Sequence, residues 1–271
     1  MPGARASLAG ALALCFALTG AVAAAAAARV MSLDQCADQY VLALAPRGAI
    51  VGLSPRVGDR DSFLGAQSAG LPRRRASSEA ILAASPQVVV RYWGGDQKLA
   101  DLLTRRRITV VRIGEAADFE GVRANVRRVA AALGEPARGE ALIARMDAQL
   151  AAARGAWAGK SALYLTPSGF TAGPGTLVHA ILAGAGLSDR AAPGYGPVSM
   201  ERLVLDPPFA LVLGFFDAFG VAQQQWGPGR NGLLQAMARR RAIASLPASE
   251  LGCPAWFAAD AAQTLAQARK P

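Results

Sequence analysis

Ser77-Ser78-Glu79-Ala80-Ile81-Leu82-Ala83-Ala84-Ser85-Pro86-Gln87-Val88-Val89-Val90 returns, 122 positions later, as Ser199-Met200-Glu201-Arg202-Leu203-Val204-Leu205-Asp206-Pro207-Pro208-Phe209-Ala210-Leu211-Val212. Serine, glutamate, two aliphatics, a proline and an apolar run recur in register. Proline lacks the amide hydrogen and clashes with the preceding turn, so it ends a short helix seven residues after the glutamate. The apolar run beyond is long enough for a strand and too short for a helix. Each copy therefore describes a helix feeding a buried strand. Both strands run into aromatic loops, Tyr92-Trp93-Gly94-Gly95 and Phe215-Phe216-Asp217. Two similar lobes of this kind face each other across a cleft.

Working outward, the same rhythm continues on either side. Arg29 to Leu33 reads as a strand and Asp34 to Leu44 as a helix. Ala49 to Leu53 is a strand, residues 98–107 an amphipathic helix, and Thr109 to Ile113 a fourth strand. Strands separated by helices imply right-handed crossovers and a parallel sheet covered on both faces. From Phe119 the pattern is helical up to Gly134. Pro136 then opens a second, longer helix to about Trp157, since proline suits a first helical turn. Beyond Gly159 strand and helix alternate again, with Ala162 to Thr166 and then Thr176 to Ala185. The reading is an α/β protein of two similar lobes, with mainly parallel sheets, a long connecting helix and a ligand cleft between them. Its expected boundaries are a leader at 1–28, an N-terminal lobe at 29–117, a helical connector at 118–158 and a C-terminal lobe at 159–271. A helical connector makes large opening motions expensive, so little closure on binding is expected.

The first residues carry Arg5, an apolar run from Leu8 to Val22 and an alanine tract up to Arg29, the three parts of a secretory signal peptide. An uncleaved anchor is the alternative, the stretch through Ala28 being just long enough to span a bilayer; the alanine-heavy second half favours cleavage near Ala28 and a periplasmic protein. The formal net charge is +10, and losing Arg5 with the leader leaves +9. The runs Arg73-Arg74-Arg75, Arg105-Arg106-Arg107 and Arg239-Arg240-Arg241 are scattered, without zinc-finger spacing or a basic helix joined to heptads. They read as solvated surface, and no nucleic-acid partner is expected. Cys36 and Cys253 are left beyond the leader; an oxidising compartment permits one disulfide between them, and two buried thiols are the alternative.

No enzyme machinery is visible. Gly155 to Ser161 imitates a phosphate loop but is one residue too short between its glycines and runs into a strand. A serine triad would have to use the single histidine, His179, which lies within a helix. The signal is instead aromatic side chains at strand ends, where open α/β sheets bind ligands: Tyr92 and Trp93 with Gly94 and Gly95, Phe170, Phe215 and Phe216, with Tyr195 and Trp226 as loop aromatics. Flat rings flanked by glycine suit a large planar ligand. Arg56, Arg91 and Arg230 are candidates for neutralising its carboxylates or phosphate.

The paired Ser-x-Glu-x-Ile/Leu, Pro, apolar-strand segment across two lobes resembles the periplasmic substrate-binding proteins of iron-chelate and cobalamin importers, over about residues 29–265. The resemblance implies a component that captures a metal chelate and delivers it to an ATP-driven permease dimer in the inner membrane. It also implies a monomer with no cofactor of its own, since the ligand brings its metal. Glu79 and Glu201 would then be the permease-docking residues, exposed carboxylates on matched lobes facing basic patches. Tyr92-Trp93-Gly94-Gly95-Asp96 and Tyr195 look like ligand-facing positions of cobalamin binders, which puts cobalamin ahead of a ferric siderophore. Pro55-Arg56-Val57 and Asp34-Gln35-Cys36 depart from the family's usual loops and leave siderophore or haem open. An exported enzyme using the same cleft is the rival from another class.

Overall fold

The computed structural model describes residues 27–217 and 231–269. Most of the expected leader, residues 1–26, and the candidates Trp226 and Arg230 lie outside them.

The N-terminal lobe is built from β1 (Val30–Ser32), α1 (Gln35–Leu44), β2 (Ile50–Gly52), α2 (Ser78–Ala84), β3 (Val88–Arg91), α3 (Gln97–Arg105) and β4 (Thr109–Arg112). Two helices follow, α4 (Phe119–Ala132) and α5 (Pro136–Ala153). The C-terminal lobe contains β5 (Ser161–Leu165), β6 (Phe170–Ala172), α6 (Leu177–Gly184), β7 (Ser188–Asp189), β8 (Tyr195–Pro197), α7 (Met200–Leu205) and β9 (Ala210–Gly214). It closes with α8 (Gly232–Arg241), β10 (Ala242–Leu246), α9 (Ala248–Leu251) and α10 (Ala258–Gln267).

The two main sheets share one topology. The first has the order β2-β1-β3-β4 and the second β10-β9-β5-β7, every neighbouring pair parallel. Numbered by their own strands in chain order, both read 2-1-3-4. The repeat explains why. In each copy the serine closes the helix start: the Ser77 hydroxyl accepts from the Ala80 amide at 3.3 Å and Ser199 from Arg202 at 3.2 Å. Such a side chain satisfies an amide that has no partner within the first turn. Pro86 and Pro208 then deliver the chain into β3 and β9, the third strand of each lobe.

Strand alternation assigns each residue to a core. Val88 and Val90 face a large cluster shared by both lobes, while Val89 faces a smaller one with Ile81 and Leu103 of α2 and α3. In the second lobe Ala162, Tyr164 and Val212 face the shared cluster, and Leu163, Leu165 and Leu211 face a separate one with Leu203 of α7 and Leu234 of α8. Thus α2 and α7 cover corresponding outer faces, and α1, α4, α5, α6 and α10 fill the space between the sheets. Each fully buried aliphatic in these layers contributes about 1.5–3 kcal/mol.

The C-terminal segment returns to the first lobe. Cys36 and Cys253 are joined in a disulfide across 217 positions. Beside it the Tyr40 hydroxyl donates to the Pro254 carbonyl at 2.6 Å, Tyr40 meets Trp256 edge to face at 5.4 Å, and Phe63 stacks on Phe257 at 4.4 Å. The Trp157 indole, just past α5, donates to the Leu265 carbonyl at 2.8 Å. The lobes are therefore cemented by one continuous apolar core rather than hinged.

Candidate functional site

In both lobes the chain switches direction between the first and third strands, and the carboxyl ends there are the expected ligand position of an open parallel sheet. In the first lobe the junction is held by Asp34, buried just past β1. One carboxylate oxygen accepts from the Ala37 amide at 2.9 Å and caps α1; the other accepts from the Tyr92 and Gly94 amides at 2.7 and 2.8 Å. One side chain thus fixes the helix start and the aromatic loop together. Gly94 is required by contact, since a Cβ would lie 2.6 Å from the Leu33 carbonyl oxygen, and Gly95 has φ +73°.

A second buried carboxylate, Asp38, stands one helical turn away. It accepts from the Ser32 hydroxyl, and from the Ser54 amide and hydroxyl at 2.8 and 2.5 Å, tying β1 to the loop after β2. Burial pushes it up to about 6 against these donors, which pull the other way.

The loop that Asp34 holds presents Tyr92 to a cavity of about 120 Å³ between the lobes. Tyr92, Glu115 and Ala116 form the N-terminal wall; Leu177, Tyr195 and the disulfide segment Leu251 to Pro254 form the other. Burial and the Glu115 carboxyl beside it both raise the Tyr92 phenol well above its ordinary range. The Tyr195 phenol is held up by its surroundings and by the same carboxylate, even though the residue is 72% exposed. Both phenols are neutral near pH 7. Tyr164 of β5 is buried with its hydroxyl unpartnered among the described residues, and Gly214 packs so close that a Cβ would overlap the Tyr164 ring. A buried hydroxyl without a partner is uncommon and marks a place for a ligand or water contact.

The remaining expected residues divide. Phe170 and Tyr195 share one face of the antiparallel β6–β8 ribbon, in which Phe170 pairs with Pro197 and Ala172 with Tyr195; they are 50% and 72% exposed. Trp93 is 53% exposed beside Tyr92. Phe215 follows β9 half-buried with φ +64°, a strained conformation for an aromatic residue that tends to collect at ligand sites. Phe216 is half-buried next to it. Arg91 donates to the Gly95 and Asp96 carbonyls at 2.7 and 3.2 Å, so its guanidinium braces the aromatic loop. Arg56 is exposed after β2 and pairs with Asp59 and Asp61 at 2.9 and 3.1 Å. Glu79 and Glu201 are both exposed at the second position of their helices.

Sequence reasoning passed over Asp34 as a clamp, Glu115 and Tyr164. Asp34 could have been found from its position between a strand and a helix start, where aspartate caps. Glu115 follows β4 and meets Tyr92 only through the sheet order. His179 Nδ1 lies 3.0 Å from a carboxylate oxygen of Asp189, whose side chain is otherwise buried. Neither a serine nor a cysteine joins that pair among the described hydrogen bonds. Among the described residues no cluster of three or more His, Cys, Asp or Glu could hold a metal ion, and no helix is long and apolar enough to cross a membrane.

Two lobes of matched parallel topology, a cleft lined by phenols and a fixed junction define a protein that captures a small solute. The family profile described as periplasmic binding protein matches residues 30–250, and the chain belongs to that family. No curated protein matches the sequence. Among solved structures it resembles the periplasmic heme-binding protein RhuT from Roseiflexus sp. RS-1, at 24% identity and TM-score 0.67, over 89% of this chain and 97% of that one. It also resembles the periplasmic heme-binding protein BhuT in complex with two hemes, at 25% identity and TM-score 0.66, over 89% and 98%. The periplasmic vitamin B12 binding protein BtuF of Vibrio cholerae shares the fold at 17% identity and TM-score 0.64, over 89% and 96%. The chain is thus a periplasmic binding protein, and the solved structures it resembles carry haem or vitamin B12 in their names.

Proposed function

We propose that the chelate is haem, held in the inter-lobe cleft with Tyr92 as an iron ligand. The observation that carries this reading is the meeting of Tyr92 and Tyr195, one from each lobe, around Glu115 in a single cavity. A tyrosine oxygen is an established axial ligand of haem iron. Ligation requires the phenol to lose its proton; burial and the Glu115 carboxylate resist that in the free protein, so the charge of the ferric iron would drive it, with Glu115 positioned to take the proton as it leaves. Phe170, Trp93 and Tyr195 offer exposed faces to the porphyrin plane; Arg56, paired with Asp59 and Asp61, is already neutralised and is not called on for a propionate. The likeness to BhuT in complex with two hemes supports the same reading. Cobalamin, favoured by the Tyr92-Trp93-Gly94-Gly95 resemblance, is the second reading. Exposed Trp93 supports it, but its cobalt already carries axial ligands and leaves Tyr92 and Glu115 without a task.

Absorbance titration of residues 29–271 with haemin, cyanocobalamin, a ferric hydroxamate and a ferric catecholate tests the choice. Haemin should saturate at submicromolar concentration with a tyrosinate charge-transfer band, and Tyr92→Phe should abolish that band. Tighter binding of cyanocobalamin or of either siderophore would overturn the proposal. Glu79 and Glu201 act as the docking carboxylates for the permease in this reading, and residues 1–28 as a cleaved leader. Amino-terminal sequencing of protein recovered from the periplasm checks the leader.

A further inference from the structure

The β6–β8 ribbon has two faces. Tyr195, on the face it shares with Phe170, lines the inter-lobe cavity; Thr171 and Gly196, paired across the ribbon on the other face, border with Pro197 a different cavity of about 220 Å³ in the C-terminal lobe. None of its lining residues belongs to the inter-lobe cavity. Leu163, Val198, Leu203 and Pro208 give it apolar walls. Two guanidinium groups, Arg190 and Arg202, and one carboxylate, Asp206, border it. Arg190 is paired with Asp206, which neutralises both, while Arg202 has no ion-pair partner among the described residues. The Thr171 hydroxyl is buried and has no partner among the described residues. The cavity therefore combines an apolar body with a single uncompensated positive charge. Its volume exceeds the roughly 150 Å³ of an apolar cavity that accepts benzene.

We infer that this cavity is a second binding site, for a small monocarboxylate with an aryl or branched aliphatic body, its carboxylate on Arg202 and its body between Leu163 and Leu203. The site does not depend on which chelate occupies the cleft. An occupant would press on the ribbon that carries Tyr195 and on α7, which carries Glu201, and so would reach both the cleft and the docking helix.

Thermal shift and saturation-transfer NMR on the full mature chain, with benzoate, 4-methylpentanoate and uncharged benzyl alcohol, test the inference. Both carboxylates should raise Tm in a dose-dependent way at millimolar concentration, and benzyl alcohol should bind roughly tenfold more weakly, the change that one lost charge-assisted hydrogen bond brings. Arg202→Gln should remove that preference. Ala191→Phe, which fills the cavity from its wall, should abolish binding of all three, with circular dichroism and haemin titration confirming an intact fold. Failure of both carboxylates to bind, or binding that survives Ala191→Phe, overturns the inference. So does a cavity that takes no small molecule while Ala191→Phe weakens permease binding, which would assign it to a permease side chain.

Discussion

Replacing Cys36 and Cys253 together by alanine removes a link that closes a loop of 217 positions. Cross-linking stabilises mainly by restricting the unfolded chain, and loop-closure entropy for that length amounts to about 5 kcal/mol at 25 °C. The native junction keeps its other contacts, the Tyr40 hydrogen bond to Pro254 and the Phe63–Phe257 stack, so the loss should appear almost wholly in the unfolded state. At about 2–4 °C per kcal/mol for a chain of this size, Tm should fall by roughly 10–20 °C. Urea unfolding followed by circular dichroism checks the cause: the midpoint should drop, and the slope should rise because the freed chain exposes more surface. Haemin affinity, measured on the folded variant, should fall modestly, because Cys253 is part of the cleft wall. A loss below about 1 kcal/mol with an unchanged slope would refute the entropic account. Splitting of the transition into two would refute the claim that both lobes share one core.

The other predictions concern the buried polar groups. Asp34→Ala strips the Tyr92 and Gly94 amides of their acceptor and should cost about 3 kcal/mol, each orphaned donor contributing about 1–3; thermal unfolding reads the loss, and ligand affinity should fall with it because the aromatic loop is freed. Gly94→Ala forces a Cβ against the Leu33 carbonyl and should destabilise by about 1–3 kcal/mol, the ordinary range for overpacking, so a neutral result would contradict the close approach. Asp38 should make stability fall as pH rises from about 4 through about 6, because its folded pKa lies above the ordinary 3.8 and the folded state holds the proton more tightly. Relative to Asp38→Asn the wild type should lose up to about 3 kcal/mol across that window, and a flat difference curve would refute it. Alanine at both Glu79 and Glu201 should abolish uptake while sparing haemin affinity; surviving uptake would end the docking assignment.

Much of the fold was legible because the repeat couples three local rules at fixed spacing: a serine cap, a proline stop and an apolar strand. Each acts within a few residues, so each can be read without a partner. The strand ends that carry Tyr92 and Phe215 followed from the same rules, whereas Phe170, expected just past the first strand of the second lobe, opens a further strand. The β6–β8 ribbon did not follow from them, since Phe170 to Ala172 and Tyr195 to Pro197 are three-residue strands stabilised by each other rather than by their own pattern. Glu115 and Tyr92 lie on different strands' loops, and only the β3–β4 pairing brings them together. Arg91 reads as a ligand cation from its type and place, but its guanidinium reaches the carbonyls of Gly95 and Asp96 first. The long helix expected to run to Trp157 ends at Ala153, because Gly155 at φ +73° turns the chain and the Trp157 indole is taken by Leu265.

The return of residues 253–257 to the first lobe also sets an order of events. Tyr40, Cys36 and Phe63 are made early, yet the segment that covers them, residues 253–257, begins 217 positions behind Cys36. At ordinary synthesis rates of about 5–20 residues per second, the first lobe waits roughly 10–40 s for its missing wall. The N-terminal α/β unit therefore cannot close its core from its own residues alone, and the completed wall comes from the carboxyl end of the chain.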